Sequence, residues 1–268
     1  MVRFSGRVVA VTGAAAGIGE AIARRFAAEG ATLMICDINE SNLEAVVADI
    51  KRSGGAVQAR RVDVADGPAL EAFINDGARE MGRLDVLINN AGRGTLGNVD
   101  VLPAEAWRRA MAVNLDAVYF ACHAAIPHLK STRGSIVNIA SVSGLFADFD
   151  LAAYNAAKAG VINLTRSMAL GLGPDGVRVN AICPGATVTR ALQAVWSNDA
   201  LRARFEEVIP LRRWAEPAEM AGVAAFLASE DAAYVTGTHI VVDGGLTLST
   251  GQPHWSKIAP GLMKPAKS

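Results

Sequence analysis

Short apolar runs alternate along the chain with longer stretches whose apolar positions recur at helical spacing. The runs Arg7–Val11, Thr32–Cys36, Val57–Val62, Leu84–Ile88, Ser135–Ala140, Val177–Cys183 and His239–Val242 read as strands. Between them, Gly17–Glu29, Glu40–Arg52, Ala69–Met81, Ala104–Leu129, Ala152–Leu172 and Pro217–Ala228 read as helices, and Ala191–Val208 as irregular short helices. In Gly17–Glu29 the spacing of Ile18, Ala21, Ile22 and Phe26 puts one apolar face on the helix. The strands, such as Val8-Val9-Ala10-Val11, lack polar alternation, which is expected when both faces of a sheet are covered. Strands and helices in strict alternation predict an α/β fold. It is a doubly wound, seven-stranded parallel sheet with helices on both faces, whose ligands sit at the carboxyl ends of the strands.

No repeat, low-complexity block or interior linker divides this pattern, so residues 1–249 read as one domain. The segment 250–268 is basic and proline-containing, carrying Lys257, Lys264 and Lys267 without an acid. It reads as an extended tail. Hypotheses for it are that Trp255, Leu262 and Met263 cross to a neighbouring subunit.

Composition narrows the function classes. The 268 residues carry 26 Lys+Arg against 26 Asp+Glu, a formal net charge of zero. A dedicated nucleic-acid binder relies on a basic excess, so that class is disfavoured. The longest run free of Asp, Glu, Lys and Arg, Gly134 to Ala147, falls short of the roughly 20 apolar residues of a membrane span. Cys36, Cys122 and Cys183 sit among apolar residues without a C-x-x-C pair. They read as buried thiols in a reducing compartment, and the cytoplasm is the expected location. His123, His128, His239 and His254 form no metal-ligand run, and no metal is expected.

The chemistry begins directly after the first strand, with Thr12-Gly13-Ala14-Ala15-Ala16-Gly17-Ile18-Gly19. Glycines there permit a tight turn and let backbone N–H groups approach a pyrophosphate, while the helix that follows aims its positive end at the anion. Asp37 closes the second strand, 18 residues after Gly19. A carboxylate in that place accepts from both adenosine ribose hydroxyls and repels a 2′-phosphate, so NAD is the expected cofactor. Ala14, Ala15, Ala16, Ile38 and Asn39 offer no cation for the phosphate of NADP.

Read with Asp63-Val64, Asn89-Asn90-Ala91-Gly92, Asn114, Ser141, Tyr154-x-x-x-Lys158 and Pro184-Gly185-x-Thr187-x-Thr189, the loop resembles the short-chain dehydrogenase/reductase family from about Val8 to Gly245. The resemblance implies a single Rossmann-like domain and an NAD-dependent alcohol dehydrogenase or ketone reductase acting on CH–OH groups. Gly13, Ala16, Gly17, Ile18, Gly19, Asp37, Ile38, Asp63, Val64, Asn90, Ala91, Gly92, Pro184, Gly185, Thr187 and Thr189 would hold the dinucleotide, together with Tyr154 and Lys158. Asn114, Ser141, Tyr154 and Lys158 would be the catalytic set. Tyr154 would act as general base in oxidation and acid in reduction, and Asn114 would hold a water that links Lys158 to solvent.

Tyr154 and Lys158, four residues apart on a helix, share one face. A free tyrosine titrates near ~10. An ammonium at ~4 Å is worth about 4 kcal/mol at an effective dielectric of ~20, so Lys158 and a positive cofactor ring together would bring the phenol toward neutrality. Ser141 ends a strand where its hydroxyl can share charge on the substrate oxygen. Ser141, Ser143, Phe149, Tyr154 and Trp196 are the expected substrate-binding residues of a mostly apolar pocket, with Asp148 and Asp150 facing out. No arginine cluster marks an anionic substrate, which leaves a neutral secondary alcohol or ketone.

Two other readings stand beside this one. Arg108-Arg109 and Arg212-Arg213 could dock an acidic acyl carrier, making an NADPH-dependent 3-oxoacyl reductase, although solvated helix faces explain them as well. A catalytically silent nucleotide-binding scaffold would use the same loop. The Ala-rich helices Ala104–Leu129 and Ala152–Leu172 suit packing between subunits, and the resemblance implies a homotetramer.

Overall fold

The computed structural model describes residues 2–249; the tail from Thr250, with Trp255, Leu262 and Met263, lies outside them. The seven strands are β1 (Val8–Thr12), β2 (Thr32–Asp37), β3 (Ala56–Arg61), β4 (Val86–Asn89), β5 (Ser135–Ile139), β6 (Arg178–Pro184) and β7 (His239–Val242). They form one parallel sheet in the order β3-β2-β1-β4-β5-β6-β7. Every strand lies within two residues of its sequence-based position, which is the ordinary uncertainty of element ends. The chain reverses its winding direction between β1 and β4, and the carboxyl ends of these neighbours open a crevice there.

Helices α1 (Gly17–Ala28) and α2 (Glu40–Arg52) cover one face. Helix α9 (Pro217–Ala228) joins them there and packs on α1. That core holds Val9, Val11, Ile22, Phe26, Ile35, Ile88 and Val137. The other face carries α3 (Gly67–Met81), α5 (Ala117–Thr132) and α6 (Ala152–Leu172) over Ala10, Met34, Leu87, Ile136 and Ala181. Alternate strand residues therefore feed two separate cores, which is why the strands read as unbroken apolar runs. Strand β3 is the exception. It lies at the sheet edge, only Val57 is buried, and its polar Gln58, Arg60 and Arg61 need no covering.

The long helix expected over Ala104–Leu129 is interrupted. Helix α4 (Ala104–Met111) widens into a π-helical turn at Ala112–Asp116 before α5 resumes to Thr132. The wide turn centres on Asn114, fully buried. Its Nδ2 donates to the Ala110 and Arg93 carbonyls at 2.9 and 3.0 Å, and its Oδ1 accepts from Arg93 N at 2.9 Å. A side chain that bonds the carbonyl four residues back competes with the helical ladder and opens it. By length and composition the whole stretch Ala104–Thr132 is apolar enough to cross a bilayer. A count of charge-free runs misses this, because Asp116 divides it. In the fold, Val118, Ala121, Cys122, Ala125 and Leu129 pack into the core beside α3. Residues 190–208 are also more regular than expected. A 3-10 turn (Arg190–Leu192) leads into α7 (Gln193–Trp196) and a ten-residue helix α8 (Asp199–Val208), which the Asn198 side chain caps.

Candidate active site

The glycine loop takes its shape from contact with the end of β4. A Cβ on Gly13 (φ +66°) would meet Ala91 Cα at 2.7 Å, and one on Gly19 would meet the Gly13 carbonyl oxygen at 2.1 Å. Asn90 locks this contact: its Nδ2 donates to the Thr12 and Gly13 carbonyls at 3.0 and 2.9 Å. The Asn90 side chain is thus spent on the loop. Asn89 likewise ties β4 to β5, donating to Asn138 Oδ1 at 2.9 Å.

Helix α1 begins at Gly17 with no side-chain cap, because its N-cap is Ala16. Its first-turn N–H groups therefore face the crevice without a side-chain acceptor, as a phosphate site requires. Asp37, at the end of β2, accepts from Ala15 N at 3.0 Å and Asn39 N at 2.9 Å. Ile38 is exposed beside it and Val64 is buried. Asp63 accepts from Arg109 at 2.8 Å and from Ala65 N at 3.0 Å. Burial pushes the Asp63 carboxyl up, but Arg109 and the Ala65 amide overcome it and hold the group below its ordinary value. On the far side, Thr189 Cγ2 lies 3.3 Å from where a Gly17 Cβ would stand, so the segment after β6 closes onto the glycine loop. Pro184 ends β6 in register with Val242, Gly185 packs against Asp243, and Thr187 is buried with its hydroxyl on the Gly185 carbonyl at 3.1 Å. The uncapped helix, the glycine cradle and the strand-end acid fit a dinucleotide.

Deeper in the crevice stand Ser141, Tyr154 and Lys158. Ser141 follows β5 in extended conformation (φ −171°) and caps the 3-10 turn Val142–Gly144, accepting from Ser143 N at 3.1 Å. That turn lies flat on α6. A Cβ on Gly144 would meet the Lys158 carbonyl carbon at 2.6 Å, so only glycine lets Ser141 approach the helix this closely. Tyr154 and Lys158 occupy the facing side of α6, with Lys158 Nζ 5.7 Å from the centre of the phenol ring. Lys158 is buried and donates to the Ile139 carbonyl at 2.7 Å. Gly92 leaves room for this group: a Cβ there would lie 3.0 Å from Asn114 Oδ1 and 3.3 Å from Lys158 Nζ.

Burial brings the Lys158 ammonium down to about 8, and the Cys183 thiol on β6, itself pushed up to about 11 by burial, pulls weakly the other way. Burial pushes the Tyr154 phenol above its ordinary value; the Ser141 hydroxyl lowers it and the charge of Asp148 adds to the rise. The expected pull of Lys158 and a positive cofactor ring concerns the loaded site; without that ring burial prevails, and the ammonium is engaged by the Ile139 carbonyl.

The charged form of Lys158 is disfavoured by folding below about 8, and the cost fades as pH rises toward the unfolded value of ~10.4. Lys158→Met is accordingly expected to stabilise the fold at pH 7 by about 1–2 kcal/mol while abolishing turnover. Urea midpoints at pH 7 and above pH 9 check this; the gain should shrink at the higher pH.

The substrate side departs from expectation in two places. Phe149 is 96% exposed rather than packed into the crevice. Asp148 is exposed as expected, yet its carboxylate also accepts from Ser143 Oγ, which was not expected. The strand-like alternation assumed for residues 148–150 fails because Asp150 adopts φ +58°. Asn98 Nδ2 bonds the Asp150 side chain at 2.8 Å, and Gly97 N donates to its carbonyl at 2.7 Å, holding the loop in that bend. Trp196 is half-buried on α7, its indole N–H enclosed without a partner among the described residues.

Residues 13–247 match a family described as enoyl-(acyl carrier protein) reductase. The chain is 47% identical over 251 residues to meso-2,3-butanediol dehydrogenase of Serratia marcescens, covering 94% of this chain and 98% of that one. It is 38% identical over 250 residues to D-threitol dehydrogenase of Mycolicibacterium smegmatis, covering 92% and 95%. A crystal structure provisionally described as an NAD(P)-dependent gluconate 5-dehydrogenase of Beutenbergia cavernae, with NADP bound at low occupancy, superposes with a TM-score of 0.88. It is 35% identical and covers 92% of this chain and 99% of that one.

Proposed function

The chain belongs to the short-chain dehydrogenase/reductase family and is an oxidoreductase acting on alcohol groups; from that premise we propose that it uses NAD, with Tyr154 exchanging the proton of a small, neutral secondary alcohol or ketone. The observation that carries the reading is the convergence of Ser141, Tyr154 and Lys158 in the crevice at the carboxyl ends of the strands, where Asp37 also ends β2. The dinucleotide, when bound, supplies the hydride acceptor or donor. Gly13, Ala16, Gly17, Ile18 and Gly19 receive its phosphates on backbone N–H groups, and Asp37 accepts from the ribose. Ile38, Asp63 and Val64 border the adenine, and Lys158 and Tyr154 the second ribose. Asn90, Ala91, Gly92, Pro184, Gly185, Thr187 and Thr189 form the walls.

Ser141 and Tyr154 hold the substrate oxygen, and Tyr154 takes or returns its proton. Trp196 bounds the substrate, and Ser143 acts on it through Ser141. Both Asn114 Nδ2 hydrogens are committed, to the Arg93 and Ala110 carbonyls, so a relay water there is held by the remaining acceptor position on Oδ1. The named activities of the relatives, on butanediol and threitol, favour vicinal diols among neutral alcohols.

A carrier-linked, NADPH-dependent role is less well supported. Arg109 is paired with Asp63, Arg213 is bidentate on Glu219, and Arg212 bonds the carbonyls at the end of α8. The buried, free Cys36, Cys122 and Cys183 support a cytoplasmic location. Tyr119 on α5 and Leu170 on α6 face outward, which supports a homotetramer built on these helices, to be checked by mass in solution. The function is tested by following reduced-nicotinamide absorbance with secondary alcohols and vicinal diols, with NAD⁺ and NADP⁺ separately. Turnover of a diol with NAD⁺ supports the reading. NADH binding without turnover of any alcohol would favour the silent scaffold.

A further inference from the structure

The loop beside Tyr154 carries three oxygens in a row. Ser141 Oγ lies 3.0 Å from Ser143 Oγ, and Ser143 Oγ bonds the Asp148 carboxylate. Both serines are more than nine-tenths buried, while Asp148 is exposed. The donor inventory fixes the direction of this chain. A carboxylate only accepts, so the single hydroxyl hydrogen of Ser143 goes to Asp148. Ser143 Oγ can then only accept from Ser141, which commits the single hydrogen of Ser141 as well. Ser143 N–H fills one further position on Ser141 Oγ, at 3.1 Å. What Ser141 has left toward Tyr154 is a lone pair, and it lowers the phenol only when its hydrogen turns from Ser143 to the phenolate.

We propose that Asp148 sets the direction of hydrogen donation along Ser143 and Ser141, so that Ser141 meets the reacting oxygen as an acceptor and the site favours an alcohol over its ketone. An alcohol brings a hydrogen to that lone pair. A carbonyl brings none, and must be held by Tyr154 alone until Ser141 gives up its bond to Ser143. Asp148 and Ser143 are positioning residues in this scheme, acting through Ser141. The other titratable groups about the phenol are Lys158 on α6, which donates to the Ile139 carbonyl, and Cys183 on β6, whose thiol meets the Ser141 backbone; among the described residues neither bonds the serine hydroxyls or the Asp148 carboxylate. The inference rests on the reading of Ser141 and Tyr154 as the groups that hold the reacting oxygen.

Two inert competitors of similar size separate the two donor arrangements. tert-Butanol has a hydroxyl hydrogen but no carbinol C–H to lose, and dimethyl sulfoxide can only accept. Their inhibition constants are measured against an oxidisable alcohol, and by displacement in the NADH-bound enzyme where turnover is slow. Asp148→Ala frees the Ser143 hydrogen, and Ser143→Ala removes the inward acceptor outright. Asn at 148 is avoided because its carbonyl could still accept.

Either variant is expected to tighten dimethyl sulfoxide binding by about five- to ten-fold, the value of one neutral hydrogen bond, and to leave tert-butanol within about two-fold. The double variant should match Ser143→Ala, since Asp148 acts only through that hydroxyl. Asp148→Ala should also shift the oxidative pH profile downward, because a negative charge leaves the phenol. An unchanged inhibitor ratio in both single variants overturns the inference, as does an Asp148→Ala effect that persists without Ser143. Turnover that survives Tyr154→Phe refutes the underlying reading instead, so the two failures are distinguishable.

Discussion

Tyr154→Phe is expected to lower turnover by about 10²- to 10⁴-fold in both directions, the usual contribution of a positioned acid or base. Affinity for NADH should hold, because the ring remains on α6 and only the hydroxyl is lost. In the free protein burial pushes this phenol above its ordinary value, with Asp148 adding to the rise. The group is therefore protonated at neutral pH, which suits it to donate in reduction. Oxidation needs the phenolate. Its rate should climb as pH rises toward the phenol's value in the loaded enzyme, while reduction falls over the same range. Both limbs should vanish in the phenylalanine variant. Steady-state rates in both directions between pH 6 and 10, with NADH titrated by fluorescence, check this. A variant that keeps its turnover, or keeps the limbs, removes Tyr154 from the chemistry.

The fold was legible because its strands are covered on both sides. In Val8–Thr12 and Val86–Asn89 every residue is buried and all but the last, Thr12 and Asn89, are apolar, and no competing period disturbs them. The start of α3 was also readable but was placed two residues late; Asp66 caps it, accepting from Ala69 N, just ahead of Gly67-Pro68. Local pattern could not reveal features set by distant partners. The break at Asn114 depends on Arg93, 21 residues away. Arg109 meets Asp63 across 46 residues, and this converts a helix-face charge into a partner of the cofactor cleft.

The site residues were legible as types in order, since each strand end delivers its own. Their hydrogen-bond states were not. Asn90 is consumed by the Thr12 and Gly13 carbonyls, and Lys158 by the Ile139 carbonyl. Asp148 is exposed as expected, but its bond with Ser143 is not legible in the sequence, because Asp150 at φ +58° turns the loop and a period of two no longer predicts which way a side chain points.

Asp37→Ala is expected to reduce the preference for NAD⁺ over NADP⁺ by about 10²- to 10⁵-fold, combining a loss and a gain. The loss that discriminates is one charge-assisted hydrogen bond, to the ribose 2′-hydroxyl that NADP⁺ lacks, worth about 1.5–3 kcal/mol. The gain is relief of repulsion with a 2′-phosphate, about 1–4 kcal/mol per charge pair at ~4 Å between the limits of water and protein surface. Asp37 is well placed for both effects, because Ala15 N and Asn39 N fix its two oxygens at the end of β2. The same bonds mean that alanine loosens the glycine loop at Ala15, so the NAD⁺ efficiency should fall in KM more than in kcat. The variant should not come to favour NADP⁺. Ala14, Ala15, Ala16, Ile38 and Asn39 surround the position, and none brings a cation to the phosphate. Adding one, in Asp37→Ala with Ile38→Arg, should carry the preference across. The measurement is kcat/KM for each coenzyme at saturating alcohol across the three proteins. A wild-type enzyme that prefers NADP⁺, or a ratio that does not move in Asp37→Ala, would take away the role given to this carboxylate and leave the glycine loop as the only recognised part of the nucleotide site.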